Sequence, residues 1–260
     1  MSIGWTSAVW KTSNELSTTS REYFMVEPPR LLAIVPARGG SKRLPRKNLL
    51  PLGGKPLITW TIETGLASGI CTDVLVTTDD EEIAETARKA GALVPWLRPD
   101  ELSTDTASSP EVIAHALAWY EQTRGNLDAV LLLQPTSPFR SVDSILGAVR
   151  VFTAQPESKR HTVISVSPAA VHPAWTFALQ GGELKPILGW ELLTHRSQDL
   201  PQTYALNGAL YVIPVRDARA ALPIVRPGVL PFVMTDARES LDIDTVDDWA
   251  MALFWADKPQ

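Results

Sequence analysis

The sequence predicts an α/β fold in which a mostly parallel sheet carries helices on both faces, and two observations support that reading. Short apolar runs rich in β-branched residues alternate with longer segments of helical period, the order expected of strand-helix-strand units. Several of the helical segments also open on residues suited to capping a helix N-terminus.

Taken in order, residues 1–30 are rich in Ser and Thr without a clear period, and Met25 stands just before the first strand. A loosely ordered N-terminal arm is expected there, followed by one domain over 31–260. Strand Leu31–Pro36 leads into a basic loop. Helix Lys55–Ala67, strand Asp73–Thr78, helix Glu81–Gly91 and the short strand Leu93–Leu97 follow. After a polar passage come helix Pro110–Arg124, strand Ala129–Gln134 and helix Val142–Ala154. Asp79, with Glu82 three residues on, suits the cap of the second helix, and Ser109 before Pro110 suits that of the third. From Val163 the rhythm changes. A strand, Val163–Val166, gives way to a stretch rich in Pro, Trp and Gly up to Tyr204, read as an inserted hairpin or arm over about 163–204. Strands at Gly208–Ile213 and Val229–Met234 and a helix from Val246 to Trp255 complete the chain.

Composition sets limits. At 260 residues, 45% hydrophobic and 20% charged, the chain is an ordinary globular protein able to bury a sizeable core. One cysteine, Cys71, excludes an intrachain disulfide framework, and the four histidines lack zinc-ligand spacing. No apolar run approaches the roughly 20 residues of a membrane span, and the first residues lack the apolar core of a signal peptide. A reducing, cytoplasmic setting is expected.

Chemistry concentrates after the first strand. From Pro36 through Lys55 the chain carries six of its 24 Lys and Arg residues and no Asp or Glu, although the formal net charge is −5. A cationic patch this local fits a small polyanion better than nucleic acid. Gly39 and Gly40 permit backbone angles that aim successive amides at one point, as in phosphate-binding nests, and the neighbouring Lys and Arg add charge-assisted bonds. Neither the Walker spacing nor Gly-x-Gly-x-x-Gly fits the loop. Ligands of open α/β sheets gather at the carboxyl ends of strands, where this loop falls.

A second candidate is Asp242-Ile243-Asp244. Carboxylates at i and i+2 of extended chain point to one side, as a hard cation such as Mg²⁺ requires. Thr245, Asp247 and Asp248 are explained by capping of the last helix instead. A third, Gln134-Pro135-Thr136-Ser137-Pro138-Phe139-Arg140, reads alone as a proline-rich strand exit. His115, Trp60 and Trp119 read as packing residues.

Together these segments resemble the acylneuraminate cytidylyltransferase family, the CMP-sialic acid synthetases and their relatives for other nonulosonic acids. The matching residues are Ile34 through Lys42, Leu44 through Asn48, Thr77-Thr78-Asp79, Arg98-Pro99 with Leu102 and Asp105, Gln134 through Arg140, Asn207-Gly208-Ala209 and Asp242-Ile243-Asp244. The CMP-Kdo synthetases share the first loop but typically continue Arg-Leu-Pro-Gly-Lys-Pro, whereas this chain has Lys47-Asn48.

The resemblance implies a Rossmann-like fold of the nucleotide-diphospho-sugar transferase type with a small dimerisation arm, and hence a homodimer. It implies transfer of CMP from CTP to the anomeric hydroxyl of a sugar acid, with pyrophosphate leaving. Arg38, Gly39, Gly40, Ser41, Lys42, Lys47 and Asn48 would hold the triphosphate, and Arg98, Ala107 and Ser109 would border the cytidine. Asp242 and Asp244 would bind Mg²⁺, and with Arg38 and Lys47 would form the catalytic set. Gln134, Arg196, Gln198 and Asp199 would meet the acceptor. One departure stands out: the family often reads Arg-Arg-Gln-Asp where this chain has Arg196-Ser197-Gln198-Asp199, and serine cannot replace a bidentate guanidinium. Residues 167–173 also lack the lysine that relatives often place there. Two alternatives therefore stand beside the main reading: a nucleotidyltransferase of the same fold acting on another acceptor, such as Kdo, and a non-catalytic nucleotide-binding protein.

Overall fold

The computed structural model describes residues 29–258. Of the expected N-terminal arm, all but Pro29 and Arg30 lies outside the described residues. Central to the fold is a six-stranded sheet built from β1 (Leu31–Pro36), β4 (Cys71–Thr77), β5 (Ala129–Leu133), β6 (Val163–Pro168), β9 (Tyr204–Pro214) and β10 (Leu230–Val233), in the order β10-β6-β9-β5-β1-β4. All neighbours are parallel except β9, which runs antiparallel to both β5 and β6. The sheet is therefore mostly parallel, as expected.

Side chains alternate between the two faces of each strand, and both faces are covered. Leu31, Ala33, Val35, Leu131 and Leu133 face α1 (Leu57–Ala67), α2 (Glu81–Lys89) and α4 (Val142–Thr153), where Ile58, Ile62, Ile83, Ala148 and Phe152 close the first core. Leu32, Ile34, Val130 and Leu132 face α3 (Ser109–Arg124) through Ile113, Leu117 and Tyr120. Burial on both faces explains why β1 and β5 are apolar throughout. A third, smaller core of Leu44, Leu52, Leu57, Ile243 and Ala252 lies beneath the basic loop and joins it to α6 (Val246–Ala256). Trp60 and Phe139 pack edge to face at its margin, and His115 and Trp119 pack on Trp96, so these aromatic positions are structural as read.

Several boundaries differ from expectation for local reasons. α1 begins at Leu57, because Lys55-Pro56 forms β3, which pairs with β2 (Pro51–Leu52) across Gly53-Gly54. Both glycines have positive φ, +56° and +83°, the geometry of a tight hairpin turn. The expected strand at Leu93–Leu97 reduces to one bridge between Leu93 and Leu75. α2 is capped by Asp80, whose side chain accepts from Ile83 N, because Asp79 is turned to the Gly39 amide. Ser108, not Ser109, caps α3 in a reciprocal box with Glu111. Thr245 and Asp248 form the expected capping box of α6.

β9 starts at Tyr204, before the expected Gly208, and its first residues pair with the end of β6. The chain outside the central sheet at this point runs from 169 to 203. It contains a hairpin of β7 (Phe177–Gln180) and β8 (Glu183–Pro186) and exposes Leu179, Leu184, Ile187 and Trp190. Between β9 and β10, α5 (Val215–Arg219) packs against α3. Among the described residues no helix is long and apolar enough to cross a membrane.

The spacing between α4 and β10 turns on Gly147. A β-carbon there would lie 2.6 Å from Phe232 Cε2. Gly147→Ala is expected to lower stability by about 1–3 kcal/mol through overpacking, despite a helix-propensity gain of up to about 1 kcal/mol. Urea denaturation checks this; a variant more stable than the parent would show that the Phe232 ring yields freely.

Candidate active site

The site forms where β1, β4 and β5 end. Their carboxyl ends release the basic loop, the Thr78-Asp79-Asp80 segment and the Gln134–Arg140 loop on one edge of the sheet, around a cavity of about 500 Å³. Ten of the residues singled out in the sequence line it: Arg38, Ser41, Lys42, Lys47, Asn48, Arg98, Ala107, Ser109, Gln134 and Asp244. Asp242 lies just behind the wall, within hydrogen-bonding range of Thr136, which also lines it. Arg196, Gln198 and Asp199 do not line the cavity; they are exposed on the 169–203 segment.

Lys47 is the side chain that closes the site. Lysines are seldom buried without partners, yet this one is only 8% exposed. Its ammonium donates to the Ile243 carbonyl at 2.5 Å and to Asp244 Oδ1 at 2.8 Å. It thereby couples the first loop to the segment before the last helix. On the same side Asn48, also buried, donates from Nδ2 to the Arg38 carbonyl and fixes the loop's entry.

The glycines act differently from a phosphate nest. Gly39 is not among the positive-φ residues, and its amide is already donated to Asp79 Oδ1 at 2.9 Å. Glycine is required there by close approach, since a β-carbon would meet Asp80 Oδ2 at 2.8 Å. Gly40 is not among the positive-φ residues either, and has open space around it. The anion-binding capacity of this loop therefore rests chiefly on its side chains.

Those side chains have internal partners. Arg38 Nη1 and Lys42 Nζ both donate to Asp105, at 2.7 and 2.5 Å, and together hold its carboxyl below the usual range. Arg98 is 6% exposed, with its Nε on Ser103 Oγ and its Nη2 3.8 Å from Asp79. Burial lowers its pKa, Asp79 opposes that effect and Arg38 adds to it.

Asp242 has its pKa raised, first by burial and further by the like charge of Asp244, while the Thr136 hydrogen bond and Lys47 pull the other way. Gly208, at φ +72°, carries β9 past this carboxylate; a β-carbon there would stand 3.7 Å from Asp242 Oδ2. The neighbouring Asn207 is structural, bonded to Ser165 Oγ, Ser167 Oγ and the Ala209 amide. Among the described residues no cluster of three or more His, Cys, Asp or Glu side chains could enclose a metal ion. The Asp242 and Asp244 carboxylates, two residues apart, still suit a Mg²⁺-sized ion that takes its other ligands from phosphates and water.

Sequence reasoning gave Asp79 only a helix cap, and gave no role to Thr136, Arg140 or Glu239. Arg140 is buried, its Nε and Nη2 each 2.8 Å from the carbonyls of Ala209 and Gln134. Burial lowers its pKa to about 9, with Glu239 opposing. Thr136 and Arg140 stood inside a recognised segment, whereas nothing around Glu239 marks it as a partner of a distant arginine.

The fold and the cationic cavity define a nucleotide-handling α/β enzyme, and comparison with known proteins makes the class specific. The cytidylyltransferase family model matches residues 32–172. The CMP-N,N'-diacetyllegionaminic acid synthase of Legionella pneumophila is 39% identical over 224 residues, 85% of this chain and 94% of that protein. The pseudaminic acid cytidylyltransferase of Campylobacter jejuni is 36% identical, with 85% and 94% covered. The N-acylneuraminate cytidylyltransferase of Escherichia coli is 34% identical over 86% of this chain and 51% of its own length. Among solved structures, a CMP:2-keto-3-deoxy-manno-octonic acid synthetase complexed with CTP superposes with a TM-score of 0.64 at 16% identity, covering 87% of this chain and 98% of that one. That likeness shows the fold. The 4-diphosphocytidyl-2C-methyl-D-erythritol synthase of Anaerococcus prevotii shares it at a TM-score of 0.61 and 13% identity, over 89% of this chain and 100% of that one. The chain is a nucleotidyltransferase and belongs to the cytidylyltransferase family.

The raised pKa of Asp242 has a consequence for stability. A carboxyl whose folded-state pKa exceeds its unfolded value destabilises the native state when ionised, above the folded pKa, and ceases to do so below the unfolded one. Asp242→Asn, which keeps an acceptor for Thr136, is therefore expected to raise Tm at neutral pH. The increment should fade as pH falls through the ordinary carboxylate range. Thermal melts across that range check it; a destabilised variant at neutral pH would contradict the assignment.

Proposed function

We propose that the protein transfers CMP from CTP to the anomeric hydroxyl of a nonulosonic sugar acid and releases pyrophosphate. The observation that carries this is the ammonium of Lys47, within the cationic loop, held between a carbonyl and Asp244 at the cavity wall. Relatives named as a CMP-N,N'-diacetyllegionaminic acid synthase, a pseudaminic acid cytidylyltransferase and an N-acylneuraminate cytidylyltransferase support the choice of donor and acceptor class.

In this reading Arg38, Ser41, Lys42, Lys47 and Asn48 receive the triphosphate, and Arg38 and Lys42 exchange Asp105 for phosphate oxygens. Gly39 lets the loop pass close against Asp80, and Gly40 leaves open space for the phosphates. Arg98, Ala107 and Ser109 border the base and ribose. The acceptor oxygen attacks the α-phosphorus as its bond to pyrophosphate breaks, and the hydroxyl proton passes to solvent. Charge accumulates on the leaving pyrophosphate, where fixed cations are most effective. Asp242 and Asp244 would hold a divalent cation, Mg²⁺, which when bound supplies further neutralisation of the phosphates. Lys47 positions Asp244 and adds its own charge.

Gln134 meets the acceptor from this chain. Arg196, Gln198 and Asp199 stand away from the cavity, and the apolar side chains of the 169–203 segment are exposed, Leu179 by 74% and Trp190 by 61%. Both facts support a homodimer in which that segment covers the partner's site. Light scattering is expected to give the mass of two chains; a monomeric mass at micromolar concentration would remove this part of the reading.

Ser197 supports a second reading for the acceptor. Without the second guanidinium the sugar carboxylate has a weaker anchor, and a different hydroxylated acid such as Kdo then competes as the natural substrate. Family membership, together with both carboxylates, leaves little support for the non-catalytic alternative. Incubation with CTP, Mg²⁺ and a panel of nonulosonic acids and Kdo, read by pyrophosphate release, separates the two. Turnover with a nonulosonic acid is expected; turnover with Kdo alone would move the assignment, and none at all would overturn it. Asp244→Ala is expected to reduce turnover by about 100-fold or more while changing CTP affinity far less.

A further inference from the structure

Arg140 lies outside the cavity, makes no contact with the cationic loop that the hydrogen-bond network records, and is nevertheless fully enclosed. Burying a guanidinium costs desolvation that its hydrogen bonds must offset. Here two nitrogens on one edge of the group each reach a main-chain carbonyl. Nη2 donates to Gln134 at 2.8 Å and Nε to Ala209 at 2.8 Å, while Nη1 is enclosed without a hydrogen-bond partner. Its counter-charge is Glu239, whose oxygens accept from Ser141 N at 2.8 Å and Ser144 Oγ at 2.6 Å.

These bonds connect three pieces of chain. Gln134 opens the loop whose Thr136 carbonyl accepts from Ile243 N at 2.9 Å. Ala209 follows Gly208, the residue next to Asp242. Glu239 stands three residues ahead of Asp242. Meanwhile the nucleotide side is held by its own bonds, Lys47 to Asp244 and Ile243, Asn48 to Arg38, and Gly39 to Asp79.

We propose that Arg140 is a positioning residue that fixes the acceptor-side wall, Gln134 and the backbone of Ala209, against the nucleotide side. The proposal rests on the cytidylyltransferase reading. An ammonium cannot reproduce a two-pronged edge aimed at two separate carbonyls, so lysine does not substitute.

In Arg140→Lys, with folding checked by circular dichroism, kcat/KM for the sugar acid is expected to fall about 100-fold, the scale of a small misplacement of reacting groups. CTP affinity, measured by calorimetry, should stay within about threefold of the parent, the context scatter of a single interaction. Hydrogen exchange gives a readout independent of turnover: amides at 134–137 and 207–210 should exchange faster and those at 37–48 should not change. Should Arg140→Lys fail to fold, Glu239→Gln, which keeps an acceptor for Ser141, is expected to show the same pattern more weakly. Equal exchange in variant and parent at 134–137 and 207–210, or equal losses of CTP affinity and acceptor kcat/KM, would overturn the positioning role. A parent that binds CTP yet turns over no acid would instead count against the functional reading, and the exchange pattern would still decide the role of Arg140.

Discussion

A single buried ammonium sets the geometry on which the site depends. Lys47 belongs to the first loop of the sheet and Asp244 to the segment before the last helix, and 197 residues separate them. Both belong to segments anchored in the small apolar core of Leu44, Leu52, Leu57 and Ile243. Hydrophobic packing brings the two segments together without direction; the bonds to the Ile243 carbonyl and Asp244 give them a register. A fully enclosed pair loses about 3–5 kcal/mol when one partner is removed. With the Asp244 side chain 44% exposed, this pair contributes less to stability. What it secures is orientation: the ammonium holds Asp244 at the cavity wall and offsets its negative charge there.

The same principle recurs around the cavity wherever a charged group is held. Arg98 is set against Asp79 and Arg38 with Lys42 against Asp105, while Arg140 is held by the carbonyls of Ala209 and Gln134. These groups are graded by exposure. Arg140 and Arg98 are almost wholly enclosed, whereas Arg38 and Lys42 have side chains 40% and 77% exposed. The enclosed groups maintain the shape of the walls. The exposed ones are weak, as the proposed exchange of Asp105 for phosphate oxygens requires.

How much of this was legible in the sequence depended on whether the governing interaction was local. Strands β1 and β5 were evident because burial on both faces demands an unbroken apolar run. The capping box of Thr245 and Asp248 was evident because both partners lie within one helical turn. The cationic loop stood out by charge alone. What could not be read was set by contacts distant in sequence. Asp79 was assigned to a helix cap that Asp80 fills, because the Gly39 amide 40 residues away claims its carboxylate. Gly39 and Gly40 suggested a nest of amides, yet Gly39 is dictated by the wall of Asp80 behind it. Arg140 read only as the end of a proline-rich strand exit; the fold alone places the carbonyl of Ala209, 69 residues on, over its Nε. Glu239 had no local signal at all.

The contact between Gly39 and Asp80 ties two properties that are usually separate. One oxygen of Asp80 caps α2 through Ile83 N, and the other faces the position a side chain at Gly39 would occupy. The turn that begins a surface helix is therefore also the back wall of the cationic loop. Elsewhere on α2 an exposed residue such as Glu85 can be exchanged for surface purposes alone. At its first turn no such freedom exists: a replacement chosen to improve the helix would be transmitted to the ligand loop one van der Waals contact away. For anyone reshaping this protein, α2 has a designable body and a fixed root.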